Sequence, residues 1–266
     1  MPEGVASVPQ SPAEQIVTKC RYLLSLGYDT TECAGGMLAH LSDEDRAYLV
    51  RENRESSLRL TAVNSLFPGD WKLADPAQDK TPYLAHAAKI FDIMHELGIP
   101  YAVFGSGAAR SLLADNEEES RASLFDFMRS LADEAGKRGI TLLIEPLRRH
   151  ESNIFVTVPE SGDAIHALGH PNICLLYDAF HMAEEGTDLS CVKTYVPLLR
   201  HCHIAESPKR SYPGCEDSGD LTYNRRFAKE LLDAGYDGAV SVECGFGDFQ
   251  KDSAAALTYL KEIFCR

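Results

Sequence analysis

The chain has 266 residues, of which 44% are hydrophobic and 25% are charged, and its formal net charge is −14. This length suits one large α/β domain or two small ones, with enough apolar residues for a buried core. The acidic balance disfavours a nucleic-acid partner, because phosphate binding needs clustered cations.

A unit of amphipathic helix, glycine and short apolar strand recurs along the chain, as in ELGIPYAVF and KRGITLLIE. The glycine supplies the left-handed cap at the end of each helix. Strands that alternate with helices favour a parallel sheet of βαβ units. In chain order we predict eight strands, at residues 4–8, 28–33, 58–66, 101–106, 140–145, 173–178, 199–205 and 239–244. This pattern predicts a single-domain (β/α)8 TIM barrel over residues 1–266.

An open, doubly wound sheet is the structural alternative, since the first predicted strand, GVASVP, has weak strand character. The GxGxxG turn that usually follows the first strand of such a sheet is absent. The barrel therefore remains the preferred fold.

The eight cysteines are scattered without a CxxC pair, which predicts reduced thiols and argues against a zinc finger. No stretch resembles a membrane span, and the first ten residues lack the basic and apolar regions of a signal peptide. We therefore expect a cytoplasmic protein with a small-molecule substrate and no nucleic-acid or membrane partner.

Polar residues end the last four predicted strands: Glu145, Asp178, His203 and Glu243. The carboxyl ends of barrel strands meet at one mouth, where repulsion between carboxylates must be balanced. A divalent cation is the simplest balance, and oxygen and nitrogen donors without a thiolate suit Mn²⁺, Mg²⁺ or Co²⁺. We expect one such ion, first Mn²⁺, with Mg²⁺, Co²⁺ and Zn²⁺ as alternatives. His201 lies on the same strand face as His203 and is the alternative imidazole ligand, deeper in the barrel.

Four motifs resemble those of the xylose-isomerase-like barrel superfamily, most closely its D-tagatose/D-psicose 3-epimerases and hydroxypyruvate isomerases. They are IEPLRRHE (144–151), YDAFHMAEEG (177–186), HCHIAESPKRSYPG (201–214) and VECGF (242–246). The similarity covers nearly the whole chain and is strongest between residues 139 and 247. It implies a barrel in which the four strand-end residues named above hold one metal ion.

The resemblance also implies substrate contacts. Glu151 and His181 occupy the positions of residues that bind the sugar in the epimerases. The substrate-binding arginine of the epimerases corresponds to Lys209 here, whereas Arg210 has the spacing of the hydroxypyruvate isomerases. That second group has glutamine where this chain has His203. The chain thus combines features of two subfamilies, which leaves the substrate open.

Several other residues could line the pocket. Phe67 and Trp71 follow the third predicted strand and could form an apolar wall against the sugar, or a pair that caps the core. Ser106 and Arg110 follow the fourth, where glycine backbone could approach a ligand. Glu32 could bond a substrate hydroxyl, although a salt bridge inside the barrel is the commoner outcome for such a residue.

Removal of a proton next to a carbonyl requires that the enediolate is stabilised, which a divalent ion does as a Lewis acid. Epimerisation needs one base on each face of the carbon, for which Glu145 and Glu243 are candidates. Aldose–ketose isomerisation needs one base, for which we prefer Glu243. We expect a metal-dependent epimerase or isomerase of a ketose or related keto-sugar, phosphorylated or not, and the resemblance implies a homo-oligomer.

Three alternatives differ in chemistry. A dehydratase of a keto-inositol, or a lyase of a keto-sugar, would use the same metal and bases. An endonuclease IV-like phosphodiesterase would need additional histidines after the third and fourth predicted strands and a late Asp-x-His pair, and the sequence has neither. A barrel that binds metal without catalysis would need a closed coordination shell.

Overall fold

Seven parallel strands form one sheet in the computed structural model, which describes residues 10–264. They are β1 (Thr31–Ala34), β2 (Leu60–Asn64), β3 (Tyr101–Phe104), β4 (Thr141–Ile144), β5 (Ile173–Asp178), β6 (Leu199–Ile204) and β7 (Val240–Val242). Each coincides with a predicted strand to within a few residues. The strand predicted at residues 4–8 lies outside the described residues.

Helices alternate with these strands. They are α1 (Pro12–Leu26), α2 (Gly35–Ala39), α3 (Asp43–Ser56), α4 (Thr81–Leu97), α5 (Gly107–Arg110), α6 (Glu117–Gly136), α7 (Val158–Leu168), α8 (Ala179–Glu184), α9 (Cys191–Tyr195), α10 (Thr222–Asp233) and α11 (Phe249–Phe264). Gly27, Gly98 and Gly169 cap α1, α4 and α7 with positive φ, as predicted. Every strand pairs with its neighbour in chain order. A doubly wound sheet would instead reverse its order at a switch point, so the barrel is confirmed.

The barrel is nearly closed. Within residues 10–264, β1 and β7 are the edges of the sheet and do not pair with each other. A cavity of about 770 Å³ lies between them, lined by α1, β1, β7 and α11. An eighth strand of a complete barrel would lie at this seam.

The side chains of each strand alternate between the barrel interior and the surrounding helices. A small apolar cluster fills the interior: Ala62, Val103, Leu143, Cys174 and Leu176. The intervening residues pack outward in the larger core between sheet and helices. This alternation places a residue two positions beyond Leu143 or Leu176 on the inner face, at the mouth.

None of the helices in the described part of the chain is long and apolar enough to cross a membrane. The seven cysteines found there are all free thiols, and four of them are buried. The prediction of reduced cysteines is confirmed for these seven.

Candidate metal and substrate site

Glu145, Asp178, His203 and Glu243 converge at the C-terminal mouth of the barrel. Glu145 directly follows β4, Asp178 ends β5, His203 lies in β6, and Glu243 directly follows β7. One oxygen or nitrogen of each side chain lies within 4.8 Å of the others. Because metal–oxygen bonds are ~2.0–2.6 Å, donors on opposite sides of one ion lie about 4–5 Å apart. The four donors therefore fit a single divalent ion.

The fully buried ring of His203 lies at the centre of this cluster. Its Nδ1 is 3.1 Å from Oε1 of Glu145 and 3.1 Å from Oε2 of Glu243. Burial opposes a charged ring, yet Glu243 and Glu32 raise the pKa of His203 well above its usual value. The negative charges of Glu145 and Glu243 thus need a positive charge beside Nδ1 of His203, which a proton or a divalent ion can supply.

The carboxylates differ in their electrostatic surroundings. Burial, together with the charges of Glu145 and Glu243, raises the pKa of Asp178 to about 7. Burial acts in the same direction on Glu243, but the positive charges of His203 and Arg210 lower its pKa to about 2. The three carboxylates of the cluster thus repel one another more than their positive neighbours compensate, and a divalent ion would relieve this repulsion.

Arg210 reaches this cluster from the loop after β6. Its Nη2 donates to Glu243 at 2.6 Å and to Asp178 at 3.3 Å. The guanidinium carbon lies 4.8 Å from the ring centre of Phe180, and Nη1 is 3.1 Å from Nε2 of His181. Arg210 therefore connects two of the candidate metal ligands with His181.

Lys209 is exposed and points away from the cluster, since its Nζ donates to the backbone carbonyl of Asp217 at 2.8 Å. Of the two positions that motif spacing left open for a substrate-binding cation, only Arg210 meets the cluster.

His181 lies beside the cluster, with Nε2 3.5 Å from Oδ2 of Asp178, whereas Glu151 is connected to the site less directly. Burial, followed by the charge of Arg210, lowers the pKa of His181 to about 3, so the ring is neutral. Glu151 accepts a hydrogen bond of 2.8 Å from Arg148, whose guanidinium lies 4.9 Å from the ring of Phe180. Glu151 is thus linked to the rim of the site through Arg148 and Phe180.

Phe67 and Trp71 belong to an aromatic cluster. The ring of Phe67 is buried, 5.7 Å from Phe127 and 6.2 Å from Phe104. Trp71 stacks on Tyr83 at 4.7 Å and is partly exposed. These contacts favour the core-capping interpretation for Phe67, whereas a substrate wall at Trp71 stays a prediction.

The side chains of Ser106 and Arg110 form hydrogen bonds with other residues of the chain. The Oγ of Ser106 accepts a hydrogen bond from the backbone of Phe67. Arg110 is fully buried and donates to the carbonyls of Phe104 and Glu145, at 2.6 and 2.8 Å. These contacts argue against a direct substrate role for Arg110, whereas a ligand contact at Ser106 and its neighbouring glycines stays a prediction.

Two more inward-facing residues support the cluster. Glu32 on β1 contacts Nε2 of His201 and lies 3.1 Å from Nε2 of His203, so its carboxylate pairs with histidines inside the barrel, the commoner of the two outcomes considered for it. Asn64 ends β2 and donates to Oε1 of Glu243 at 2.7 Å. Asn64 is a residue of the site that the sequence motifs do not indicate, although its place at a strand end is a usable signal.

Gly105 leaves room for Glu145. A Cβ built on Gly105 would overlap Oε2 of Glu145. Gly105→Ala is therefore expected to displace this carboxylate and to weaken Mn²⁺ binding roughly 10-fold or more, with the fold retained. Titration followed by the electron paramagnetic resonance of free Mn²⁺ measures the affinity. The control is Gly36→Ala, since an added Cβ there meets nothing within 4 Å. Equal affinities in the two variants would contradict this role of Gly105.

The chain is similar to sugar epimerases and isomerases. A D-psicose 3-epimerase from Agrobacterium fabrum is 29% identical over 234 residues, covering 82% of this chain and 75% of the relative. A 2-oxo-tetronate isomerase from Cupriavidus necator is 32% identical over 127 residues, covering 46% of this chain and 47% of the relative. The chain spans only 44–47% of the length of such isomerase relatives.

Among solved structures, a 3-keto-D-glucoside 4-epimerase from E. coli superposes with a TM-score of 0.79 and 21% identity, over 97% of both chains. At this identity the likeness supports the barrel fold. Residues 20–263 match the family model of the xylose isomerase-like TIM barrel. Because the match spans most of the sequence, the chain belongs to the xylose isomerase-like TIM barrel family.

Proposed function

We propose that this protein is a divalent-metal-dependent epimerase or isomerase that acts on a ketose or a related keto-sugar. The observation that carries the proposal is the convergence of four donors at the barrel mouth: Glu145, Asp178, His203 and Glu243. Relatives with 3-epimerase and isomerase activities in their names support the reaction class.

Mn²⁺ is our proposed resident ion, since three carboxylates and one imidazole without a thiolate suit a hard or borderline cation. When bound, such an ion supplies Lewis-acid stabilisation for the negative oxygen that develops as the substrate loses a proton.

The two glutamates are the proposed bases. Glu145 and Glu243 arrive from β4 and β7, which are separated by β5 and β6 around the barrel. A sugar between them would offer opposite faces of its reacting carbon, as epimerisation requires. Hydrogen bonds from Asn64 and Arg210 hold Glu243 in its ionised, proton-accepting form. Glu243 stays our preferred base for one-base isomerisation.

Arg210 and His181 are the proposed substrate-binding groups. The guanidinium of Arg210 can donate to a negative oxygen of the enediolate, and the neutral ring of His181 can bond a sugar hydroxyl. Glu151 would orient a hydroxyl from the rim.

The cations at the rim favour a sugar without a phosphate group. Arg148 is paired with Glu151 and Glu184, and Arg149 is paired with Glu185. A phosphate would have to compete with these carboxylates for each guanidinium. The expected homo-oligomeric state and the cytoplasmic location stay predictions.

A panel of ketoses and ketose phosphates, incubated with the protein and Mn²⁺ in D₂O, tests the function. Nuclear magnetic resonance (NMR) identifies the carbon that gains deuterium. Deuterium at C3 with the epimeric product indicates a 3-epimerase. Deuterium at C1 of the ketose or at C2 of an aldose product indicates an isomerase. If no sugar of either class gains deuterium above a protein-free control, the proposed function is wrong.

Arg210→Met is expected to raise KM about 10-fold or more, because a charged hydrogen bond to the substrate is lost. Mn²⁺ content should be retained, since the variant removes a cation that competes for Glu243 and Asp178. Steady-state kinetics and metal analysis measure the two effects. Lys209→Met, made in parallel, tests the other motif position for a substrate-binding cation, and its KM should stay near the native value. An unchanged KM in Arg210→Met would remove Arg210 from the substrate site.

A further inference from the structure

We propose that Glu32 is a positioning residue: it fixes the tautomer of His203, so that Nδ1 presents a lone pair to the bound ion, and His201 anchors Glu32 in this role. The inference rests on the proposed metal site. It adds two residues outside the four candidate ligands, Glu32 and His201, and it assigns a role to both histidines of the HCH sequence in β6.

The two oxygens of Glu32 face two different rings. Oε1 contacts Nε2 of His201, and Oε2 lies 3.1 Å from Nε2 of His203. The side chain of Glu32 is 12% exposed and both rings are fully buried. An ionised carboxylate can only accept hydrogen bonds, so each Nε2 that faces it must carry a proton.

The other nitrogen of His201 supports this assignment. Nδ1 of His201 is buried, and within residues 10–264 it has no hydrogen-bond partner. A proton on Nδ1 would create an unpaired buried N–H, which native structures rarely contain. The proton of a neutral His201 therefore lies on Nε2 and is donated to Glu32. This makes His201 an anchor for the carboxylate, in place of the alternative metal ligand considered from the sequence.

The same carboxylate then sets the state of His203. When Nε2 of His203 donates to Glu32, the lone pair of the neutral ring must lie on Nδ1. Nδ1 is the atom that faces Glu145 and Glu243, at 3.1 Å from each. Metal-binding histidines commonly donate their second N–H to a carboxylate, which fixes the ring and raises its basicity.

Glu32→Gln tests the role without any sugar. Glutamine keeps the size of the side chain but places an N–H donor against one of the two histidine N–H groups. The Mn²⁺ affinity, titrated on the full chain, is expected to fall about 10- to 100-fold. The matched control is Glu206→Gln, a buried glutamate that bonds the backbone of Gly214 instead, and its affinity should stay within about twofold. If Glu32→Gln also stays within twofold, the inference is overturned.

Glu32→Asp covers the case in which the glutamine variant fails to fold. A shorter carboxylate reaches only one of the two rings well, so an intermediate affinity is expected, and native affinity overturns the inference. The titration also counts the ions. A single ion per chain supports the inference, whereas a second ion that is lost in the Glu32 variants would make Glu32 a metal ligand and overturn it.

The tautomer itself can be observed by NMR of ¹⁵N-histidine in the protein loaded with Mg²⁺. We expect His203 to carry its proton on Nε2 in the native protein. At the same Mg²⁺ concentration, the folded Glu32→Gln variant binds less of the ion, and its His203 is expected to populate both tautomers. A proton on Nδ1 in the native loaded protein overturns the inference. The two proposals can fail separately. If the native protein binds Mn²⁺, Glu32→Gln binds it more weakly, and neither exchanges a sugar proton, the inference is supported and the proposed function is contradicted.

Discussion

Glu243→Gln is expected to slow exchange of the sugar proton with solvent deuterium roughly 10²- to 10⁴-fold, while the protein stays folded. The amide has the shape of the carboxylate and keeps an oxygen for the metal, but it cannot accept a proton. The amide oxygen can take the place of Oε2, where the pairing with Arg210 loses its charge, and Asn64 can then rotate its own amide to accept from the N–H group that replaces Oε1. NMR in D₂O with Mn²⁺ and the substrate identified from the ketose panel measures the exchange.

Metal content decides how this result is interpreted. A variant that retains Mn²⁺ and loses exchange has lost a base, whereas a variant that loses Mn²⁺ has lost a ligand. Glu206→Gln serves as the control for the removal of a buried carboxylate outside the cluster. Exchange at the native rate in Glu243→Gln would refute the assigned role.

Glu145→Gln separates the two proposed reactions. In a two-base epimerase this variant should also abolish formation of the epimer, because protonation from one face is lost. In a one-base isomerase that uses Glu243, part of the turnover should survive. Native rates of epimerisation in Glu145→Gln would contradict a role for this residue as a base.

The strand-end residues could be predicted because their position depends on local rules. Side chains alternate along a strand, so Glu145 and Asp178 continue the inward series of Leu143 and Leu176. The same period of two places both His201 and His203 inside the barrel. The sequence therefore located the candidate metal ligands without knowledge of distances.

Other parts of the site depend on contacts that the sequence does not encode locally. Asn64 bonds Glu243 from 179 positions away, and an amide gives no charge signal. Arg210, rather than Lys209, reaches the cluster from a left-handed backbone with φ of 50° in the loop after β6, a conformation that motif spacing does not reveal. Phe67 could not be placed in the core before its contact with Phe127 on α6 was known. Packing between distant elements decides each of these.

Removal of divalent ions should abolish turnover, and Mn²⁺ should restore it. The ion should also raise the thermal unfolding temperature, since a ligand at 100 times its Kd stabilises the folded state by about 2.7 kcal/mol. Treatment with EDTA, followed by Mn²⁺, tests both effects through sugar exchange and thermal unfolding. A protein that unfolds without the ion and catalyses no exchange with it would favour a structural metal.

Asp178→Asn should separate the effect of the ion from the effect of the substitution. Asp178 is 1% exposed, and its Oδ1 accepts from the backbone of Phe180 at the start of α8. Asparagine can make the same helix cap, while it removes one of three crowded carboxylates. After EDTA treatment the variant is expected to unfold at the same temperature as the native protein or above it. Mn²⁺ should stabilise the native protein more than the variant, because the oxygen of a neutral amide is a weaker ligand than a carboxylate oxygen. Equal stabilisation of both by Mn²⁺ would show that the ion binds elsewhere, and the chemistry proposed for the barrel mouth would fall with that result.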